Sequence, residues 1–197
     1  MIRVAIRIAA AVAVLLMAAS SSFADVRVVT EKQTYPVSGR TGAELYTSMQ
    51  KKAPRRTIFT QDLAQFRFEF TVRHGMGVDG RVCSIQGGTF NVKMTVTYPQ
   101  TIDKLSPKTG QAWARLIADM HRAEAARTRI ARQSMRDLMD ATLRLKTAND
   151  PTCTKIRGHL NRLRRKALAD HDASQYRFSK ESAALGSKLL AELAAAK

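Results

Sequence analysis

The chain has 197 residues, of which 45% are hydrophobic and 25% charged, and its formal net charge is +17 at pH 7. This length suits one domain with a sizeable hydrophobic core. No apolar run reaches the roughly 20 residues that a membrane-spanning helix needs, so the mature protein is expected to be soluble.

The first two dozen residues have the pattern of a secretory signal peptide. Arg3 and Arg7 give a positive start, an apolar run covers 8–19, and small residues at Ser22 and Ala24 form an A-x-A-like cleavage site. A membrane anchor is the alternative, but the run is too short to span a bilayer. We therefore predict that residues 1–24 are removed and that the protein is periplasmic or secreted.

Cysteine usage agrees with export. The chain has two cysteines, Cys83 and Cys153, and an exported protein meets oxidising conditions in which a disulfide persists. A bridge between them would close a loop of about 70 residues and stabilise the fold by on the order of 4 kcal/mol in the chain-entropy model. Free thiols or a zinc site are the alternative, but two sulfurs without CxxC spacing make a weak zinc site.

The first elements predicted in the mature chain are a short extended segment and a helix. Residues 35–42 are predicted to be a short extended segment ending in a turn. Thr41 and Glu44 then have capping-box spacing, which predicts a helix start. Pro54 and the basic pair Arg55-Arg56 are expected to end this helix.

Alternating patterns next predict three strands. Residues 66–73 place aromatic side chains on one face, and 75–80 reads as a turn. A short strand over 81–86 carries Cys83, Gly87-Gly88 bends the chain, and 89–98 alternates again. These segments suit an antiparallel sheet with one covered face.

The period then changes to that of helices. One apolar stripe runs over nearly 35 residues with spacings of three, four or seven: Trp113, Ile117, Met120, Glu124, Arg127, Ala131, Leu138, Thr142 and Leu145. A break at 149–151 leads to Cys153 and a second helix. The alanine-rich end from Ala183 is predicted to be a frayed helix.

Strands followed by helices predict an α+β fold, a small antiparallel sheet packed against a long helix pair, with a short N-terminal helix. The predicted organisation is a signal peptide (1–24), one domain (25–182) and an alanine-rich tail (183–197). The disulfide would tie the second strand to the start of the last helix.

An ordered set of segments resembles a known family of exported bacterial proteins. The set comprises Tyr35-Pro-Val-Ser-Gly-Arg-Thr, the aromatic strand, Cys83 before a strand ending Thr97-Tyr98-Pro99, Trp113 heading a long helix, Cys153, and a last helix holding Tyr176. It is similar to domain-of-unknown-function family 922, often labelled predicted secreted zinc-dependent proteases. The resemblance runs from about Tyr35 to Ser182.

The resemblance implies a metal motif on the long helix. Family members carry His-Glu-x-x-His there, in which two imidazoles one turn apart hold zinc and the glutamate acts as general base. Here the aligned stretch is Ala123-Glu124-Ala125-Ala126-Arg127, so Glu124 matches the catalytic glutamate while Ala123 and Arg127 replace the histidines. A register starting at His121 also lacks a second histidine.

The third element of the family is degenerate as well. Its pattern, roughly Tyr-Asp-x-x-Thr-x-His-Gly, reads Tyr176-Arg177-Phe178-Ser179-Lys180-Glu181-Ser182-Ala183 and keeps only the tyrosine. Catalytic zinc needs about three protein ligands. We therefore predict no catalytic residues, no metal and no cofactor, with zinc held only if non-standard ligands exist.

Two hypotheses concern single residues. Glu124 and Arg127 lie three apart on the inner helix face, and we expect an ion pair there, the alternative being that both reach water. Asp170-His171-Asp172 resembles a ligand cluster, but neighbouring helix residues point in different directions, so a solvated charged turn is favoured.

The positive charge indicates that the partners of this chain are anionic. Removing residues 1–24 leaves a formal charge of +15, and residues 113–166 hold fourteen Lys or Arg against five Asp or Glu. Such a surface attracts anionic envelope components, such as lipid headgroups, lipopolysaccharide or cell-wall polymers, or an envelope protein; a plain solvated surface is the alternative. No aromatic side chains interleave with the cations, which argues against nucleic acid.

The sequence therefore favours an exported, non-catalytic binding or structural protein of the cell envelope. An active secreted zinc-dependent peptidase with non-standard ligands is the alternative. Metal analysis of the purified protein distinguishes them.

Overall fold

The computed structural model describes residues 26–53 and 64–197. The predicted signal peptide at 1–24 and the predicted helix end at Pro54 and Arg55-Arg56 lie outside these residues. In chain order the elements are β1 (Val26–Val37), α1 (Gly42–Lys52), β2 (Gln65–Asp79), β3 (Val82–Thr101), α2 (Pro107–Leu143), β4 (Lys146–Thr147) and α3 (Thr154–Ala194).

The strands form one mixed sheet with the order β1-β3-β2, and the two-residue β4 adds beside the start of β3. β2 pairs with β3 antiparallel, whereas β1 pairs with it parallel. The predicted α+β class with a long helix pair is confirmed. The prediction of a purely antiparallel sheet is wrong, because the chain before residue 42 forms a full strand parallel to β3.

The predicted second and third strands are one continuous strand, β3. Gly87-Gly88 lies inside it, opposite His74 and Gly75 of β2. A Cβ at Gly88 would come within 2.8 Å of the Arg73 carbonyl oxygen, so this glycine permits a close approach of two strands instead of a bend. The expected turn over 75–80 is also shorter, since β2 continues to Asp79 with a register shift after Gly75.

One face of the sheet carries the core. Alternate side chains of β3 are buried there, and the predicted aromatic face of β2 lies on the same side: Phe90, Val92, Met94, Val96 and Tyr98 from β3, with Phe66, Phe68 and Phe70 from β2. α2 packs on this face and α3 packs along α2. The period-two prediction for both strands is confirmed.

The helices begin and end as local signals require. At α1 the Thr41 side chain accepts the Glu44 N–H while the Glu44 side chain accepts the Thr41 N–H, which is the predicted capping box. α2 has Ser106 as its N-cap and Pro107 in its first turn. Within the described residues, none of the helices combines the length and hydropathy needed to span a bilayer.

The C-terminal segment belongs to the packed structure. The stretch expected as a frayed tail from Ala183 continues α3 to Ala194. Leu189, Leu193 and Ala196 are buried in the core cluster that also contains α1. The Gly42 N–H donates to the Ala196 carbonyl oxygen at 2.9 Å, which joins the start of α1 to the end of the chain.

The predicted cysteine pair is bonded at the other end of α3. Cys83 of β3 and Cys153 form a disulfide with a Cα–Cα distance of 5.4 Å. Asp150 provides the helix cap there, because its carboxylate accepts the N–H groups of Lys155 at 3.1 Å and Ile156 at 2.9 Å. The disulfide therefore links the segment around Cys83 to the start of the last helix, as predicted.

Candidate functional site

A cleft of about 610 Å³ lies between α2 and α3. Its lining includes Ala123 and Arg127 from α2 and Ser182 from α3. In the resemblance described above, these are the positions of the two motif histidines and of the histidine that follows Tyr176. The one-turn spacing of Ala123 and Arg127 places them on one face of α2. The fold brings Ser182, which is distant from both in sequence, to the same cleft.

The guanidinium of Arg127 lies at the wall of this cleft. Its Nη1 donates to Gln175 Oε1 at 3.0 Å and its Nη2 donates to Ser179 Oγ at 2.8 Å. The Arg127 Cζ atom lies 4.7 Å from the ring centroid of Phe66 and 5.2 Å from that of Phe178. Two hydrogen bonds and two aromatic rings therefore hold the Arg127 guanidinium at a position where the resemblance implies a metal-binding histidine.

The side chains at these three positions do not fit a zinc ion. Alanine has no donor atom, and the Arg127 guanidinium stays protonated in proteins. The Ser182 hydroxyl donates to the Phe178 carbonyl oxygen at 2.8 Å within its own helix. Within residues 26–53 and 64–197, no group of three or more His, Cys, Asp or Glu side chains is arranged to hold a metal.

Glu124 faces the sheet instead of the cleft. Its Oε2 accepts a hydrogen bond from the Tyr98 hydroxyl of β3 and lies 3.2 Å from Lys32 Nζ of β1. The same oxygen lies 3.3 Å from His121 Nδ1, one turn earlier on α2. We call Lys32, Tyr98, His121 and Glu124 the glutamate cluster.

The glutamate cluster keeps Glu124 ionised. Burial disfavours the charged carboxylate, but the hydrogen bonds from Tyr98, His121 and Lys32 outweigh this effect and lower the pKa of Glu124 below its ordinary value. Burial and the contact with Glu124 raise the pKa of Tyr98, so its phenol remains a donor. The arrangement is an ion-pair network that joins α2 to β1 and β3.

The expected ion pair between Glu124 and Arg127 is wrong. Glu124 pairs with Lys32 and His121 on the sheet side of α2. Arg127 binds Gln175 and Ser179 of α3 on the other side. Spacing of three residues allows contact but does not impose it, and each charged side chain here has partners on a different neighbouring element.

His171 is the buried histidine of α3. It is 2% exposed, and its ring makes T-shaped contacts with the rings of Phe68 and Phe70 at centroid distances of 4.9 and 4.8 Å. Its Nδ1 has no hydrogen-bond partner among the described residues. The expected solvated turn is correct for the exposed Asp170 and Asp172 but wrong for His171, because the aromatic face of β2 covers that side of α3.

Acid should destabilise the fold through His171. Burial lowers the pKa of His171; Asp172 partly opposes this effect, and the positive charge of Arg127 adds to it. The unfolded chain therefore binds a proton near pH 6.5 that the folded chain resists, and stability is complete above this pH and falls below it, by up to about 1.4 kcal/mol per pH unit for each such histidine. Denaturant melts between pH 8 and roughly pH 5 measure this slope.

The matched variants are His171→Phe and His159→Gln. The first should reduce the slope, leaving the part due to His74, whose pKa burial also lowers. His159 is exposed on α3, so its replacement is the control that removes a histidine without disturbing the core. Identical slopes in wild type and His171→Phe would contradict the prediction.

The fold and the cleft define a class: an α+β domain in which two long helices cover one face of a mixed sheet and a disulfide closes one end. The family described as bacterial protein of unknown function, DUF922, matches residues 32–186. The chain belongs to this family. Comparison with curated proteins and comparison with solved structures each gave no match.

Proposed function

We propose that this chain is an exported, non-catalytic member of DUF922 that acts in the cell envelope as a binding or structural protein. Export rests on the sequence of residues 1–24, and the bonded pair Cys83–Cys153 agrees with an oxidising compartment. The positive charge favours anionic envelope components as partners, and the lack of aromatic side chains between the cations of residues 113–166 argues against nucleic acid.

One observation carries the non-catalytic assignment. Ala123, Arg127 and Ser182 line the same cleft, so the three histidine positions implied by the resemblance converge in space and none of them offers a zinc ligand. Arg127 in addition brings a fixed positive charge, held by Gln175 and Ser179. Glu124 could not act as a general base in this cleft, because its carboxylate is engaged by the glutamate cluster on the sheet side.

Metal analysis tests this proposal. The purified protein, incubated with zinc and then desalted, should hold far less than one zinc ion per chain and should show no peptidase activity. The triple variant Ala123→His, Arg127→His and Ser182→His should acquire about one zinc ion per chain, because three imidazoles then meet in one cleft. Elemental analysis and a chelator titration measure both.

A matched triple variant with glutamine at the same three positions controls for altered size and charge, and should stay free of zinc. Failure of the histidine variant to bind zinc while folded would refute the placement of the degenerate motif. About one zinc ion per wild-type chain, removable by chelator with loss of peptidase activity, would establish the alternative function of an active zinc peptidase.

A further inference from the structure

Cations are concentrated where α2 gives way to α3. Between residues 144 and 166 eight Lys or Arg side chains are exposed, namely Arg144, Lys146, Lys155, Arg157, Arg162, Arg164, Arg165 and Lys166. We call this set the basic end. The acidic residue within this range is Asp150, which is 2% exposed and is occupied in capping α3. Its charge therefore contributes little at the surface.

Most of these cations are not neutralised. Lys166 pairs with Asp170, and Arg162 contacts His159. For the side chains of the other six, the described part of the chain provides no ion pair or hydrogen bond. Six solvated cations around the junction of α2 and α3 produce a strong local positive potential.

Exposed apolar side chains lie directly beside the basic end. The hairpin formed by β2 and β3 presents Met76, Val78 and Val82 with exposed fractions of 37%, 49% and 38%. We call these three residues the hairpin tip. The Asp150 N–H donates to the Arg81 carbonyl oxygen at 2.9 Å, which connects the turn of this hairpin to the start of α3.

Covalent and backbone links keep the two features together. Cys83 of the hairpin is bonded to Cys153, and β4 pairs with Cys83 and Ser84. The hairpin tip and the basic end are therefore held in a fixed relation before any partner arrives. Such preorganisation lowers the entropy cost of binding.

We propose that the hairpin tip and the basic end form one docking surface for a bilayer that contains anionic phospholipid. The cations would meet lipid phosphates, and the apolar side chains would enter the interface between headgroups and acyl chains. A soluble polyanion would satisfy the cations but would leave the hairpin tip in water. Asp79 adds one negative charge to the hairpin and leaves the surface strongly positive.

This inference rests on the proposed export to the cell envelope, but its test does not. Sedimentation with vesicles of phosphatidylcholine alone, and with vesicles that also contain phosphatidylglycerol, measures binding of the full chain. Binding should require phosphatidylglycerol and should weaken as salt is added. Wild type and variants are prepared in the same form with respect to residues 1–24, so any contribution of their apolar run cancels in the comparison.

The decisive variant replaces Arg157, Arg164 and Arg165 by serine. Its affinity for the anionic vesicles should fall by roughly 100-fold, since each cation near an anionic leaflet contributes about fivefold. The matched control replaces Lys51, Lys52 and Lys188 by serine and has the same net charge. Lys188 lies 23 or more residues further along α3 than the substituted arginines, roughly 35 Å or more away, so this control should bind nearly as wild type.

The hairpin tip has its own variant, Val78→Thr with Val82→Thr, which keeps side-chain shape and strand propensity. Its binding to anionic vesicles should weaken several-fold. Equal losses for the two serine variants would overturn the docking surface, and so would unaltered binding by the threonine variant together with full competition by soluble polyphosphate. Zinc content does not enter these measurements, so their failure is distinguishable from failure of the proposed function.

Discussion

Replacing both Cys83 and Cys153 by serine should lower the free energy of unfolding by about 4 kcal/mol. The bond closes a loop with a sequence separation of 70 residues. In the chain-entropy model, a cross-link of this span lowers the conformational entropy of the unfolded chain and so raises its free energy by about 4 kcal/mol. Urea denaturation of the oxidised protein and of the variant measures the difference.

Reduced wild type is the matched control, because it keeps both sulfur atoms and loses only the bond. It should lose nearly as much stability as the double variant, the remainder being the packing of two buried side chains with Ile85, Ile156 and Leu160. If the variant were as stable as the oxidised protein, the two cysteines would not be bonded in the working protein. The agreement between the cysteine pair and an oxidising compartment would then fail.

Local patterns predicted the elements that local physics controls. The alternation of Phe66, Phe68 and Phe70 identified the inner face of β2, because side chains alternate across any strand. The spacing of Thr41 and Glu44 identified the start of α1, because a capping box involves residues three apart.

Contacts between residues distant in sequence determine the partners of Glu124, which local patterns do not predict. Glu124 was expected to pair with a neighbour on its own helix, but its partner Lys32 is almost a hundred residues earlier and reaches it only because β1 joins the sheet parallel to β3. The His121–Glu124 contact had a readable signal, a spacing of three on one helix. Lys32 and Tyr98 had none.

Helix packing also determines the environment of His171. Its two flanking aspartates indicate a solvated turn of helix. Adjacent helix residues nevertheless differ in direction by about 100° and need not share an environment. The aromatic face of β2 was identified correctly, but which turn of α3 would cover it depends on helix packing. Sequence periodicity does not carry that information.

Gly42→Ala should cost about 3 kcal/mol or more, because the added methyl group meets backbone and not a movable side chain. A Cβ at Gly42 would lie 1.6 Å from the Leu193 carbonyl oxygen and 3.2 Å from that of Ala196. The start of α1 would have to separate from the end of α3, with loss of the hydrogen bond from the Gly42 N–H. Thermal and urea unfolding of the purified variant measure the loss.

Gly186→Ala is the matched substitution, since it adds the same methyl group to α3, the helix whose C-terminal end contacts Gly42. Gly186 is inside α3, and among the described residues no atom other than the nearby backbone of its own helix lies within 4 Å of a Cβ placed there. Alanine is favoured over glycine in a helix interior by about 1 kcal/mol, so this variant should be more stable than wild type. Opposite signs for the two variants require that residues 183–197 dock on α1 as part of the domain. If Gly42→Ala were neutral, the end of α3 would be free of α1, and the chain would have the separate alanine-rich tail that its composition predicts.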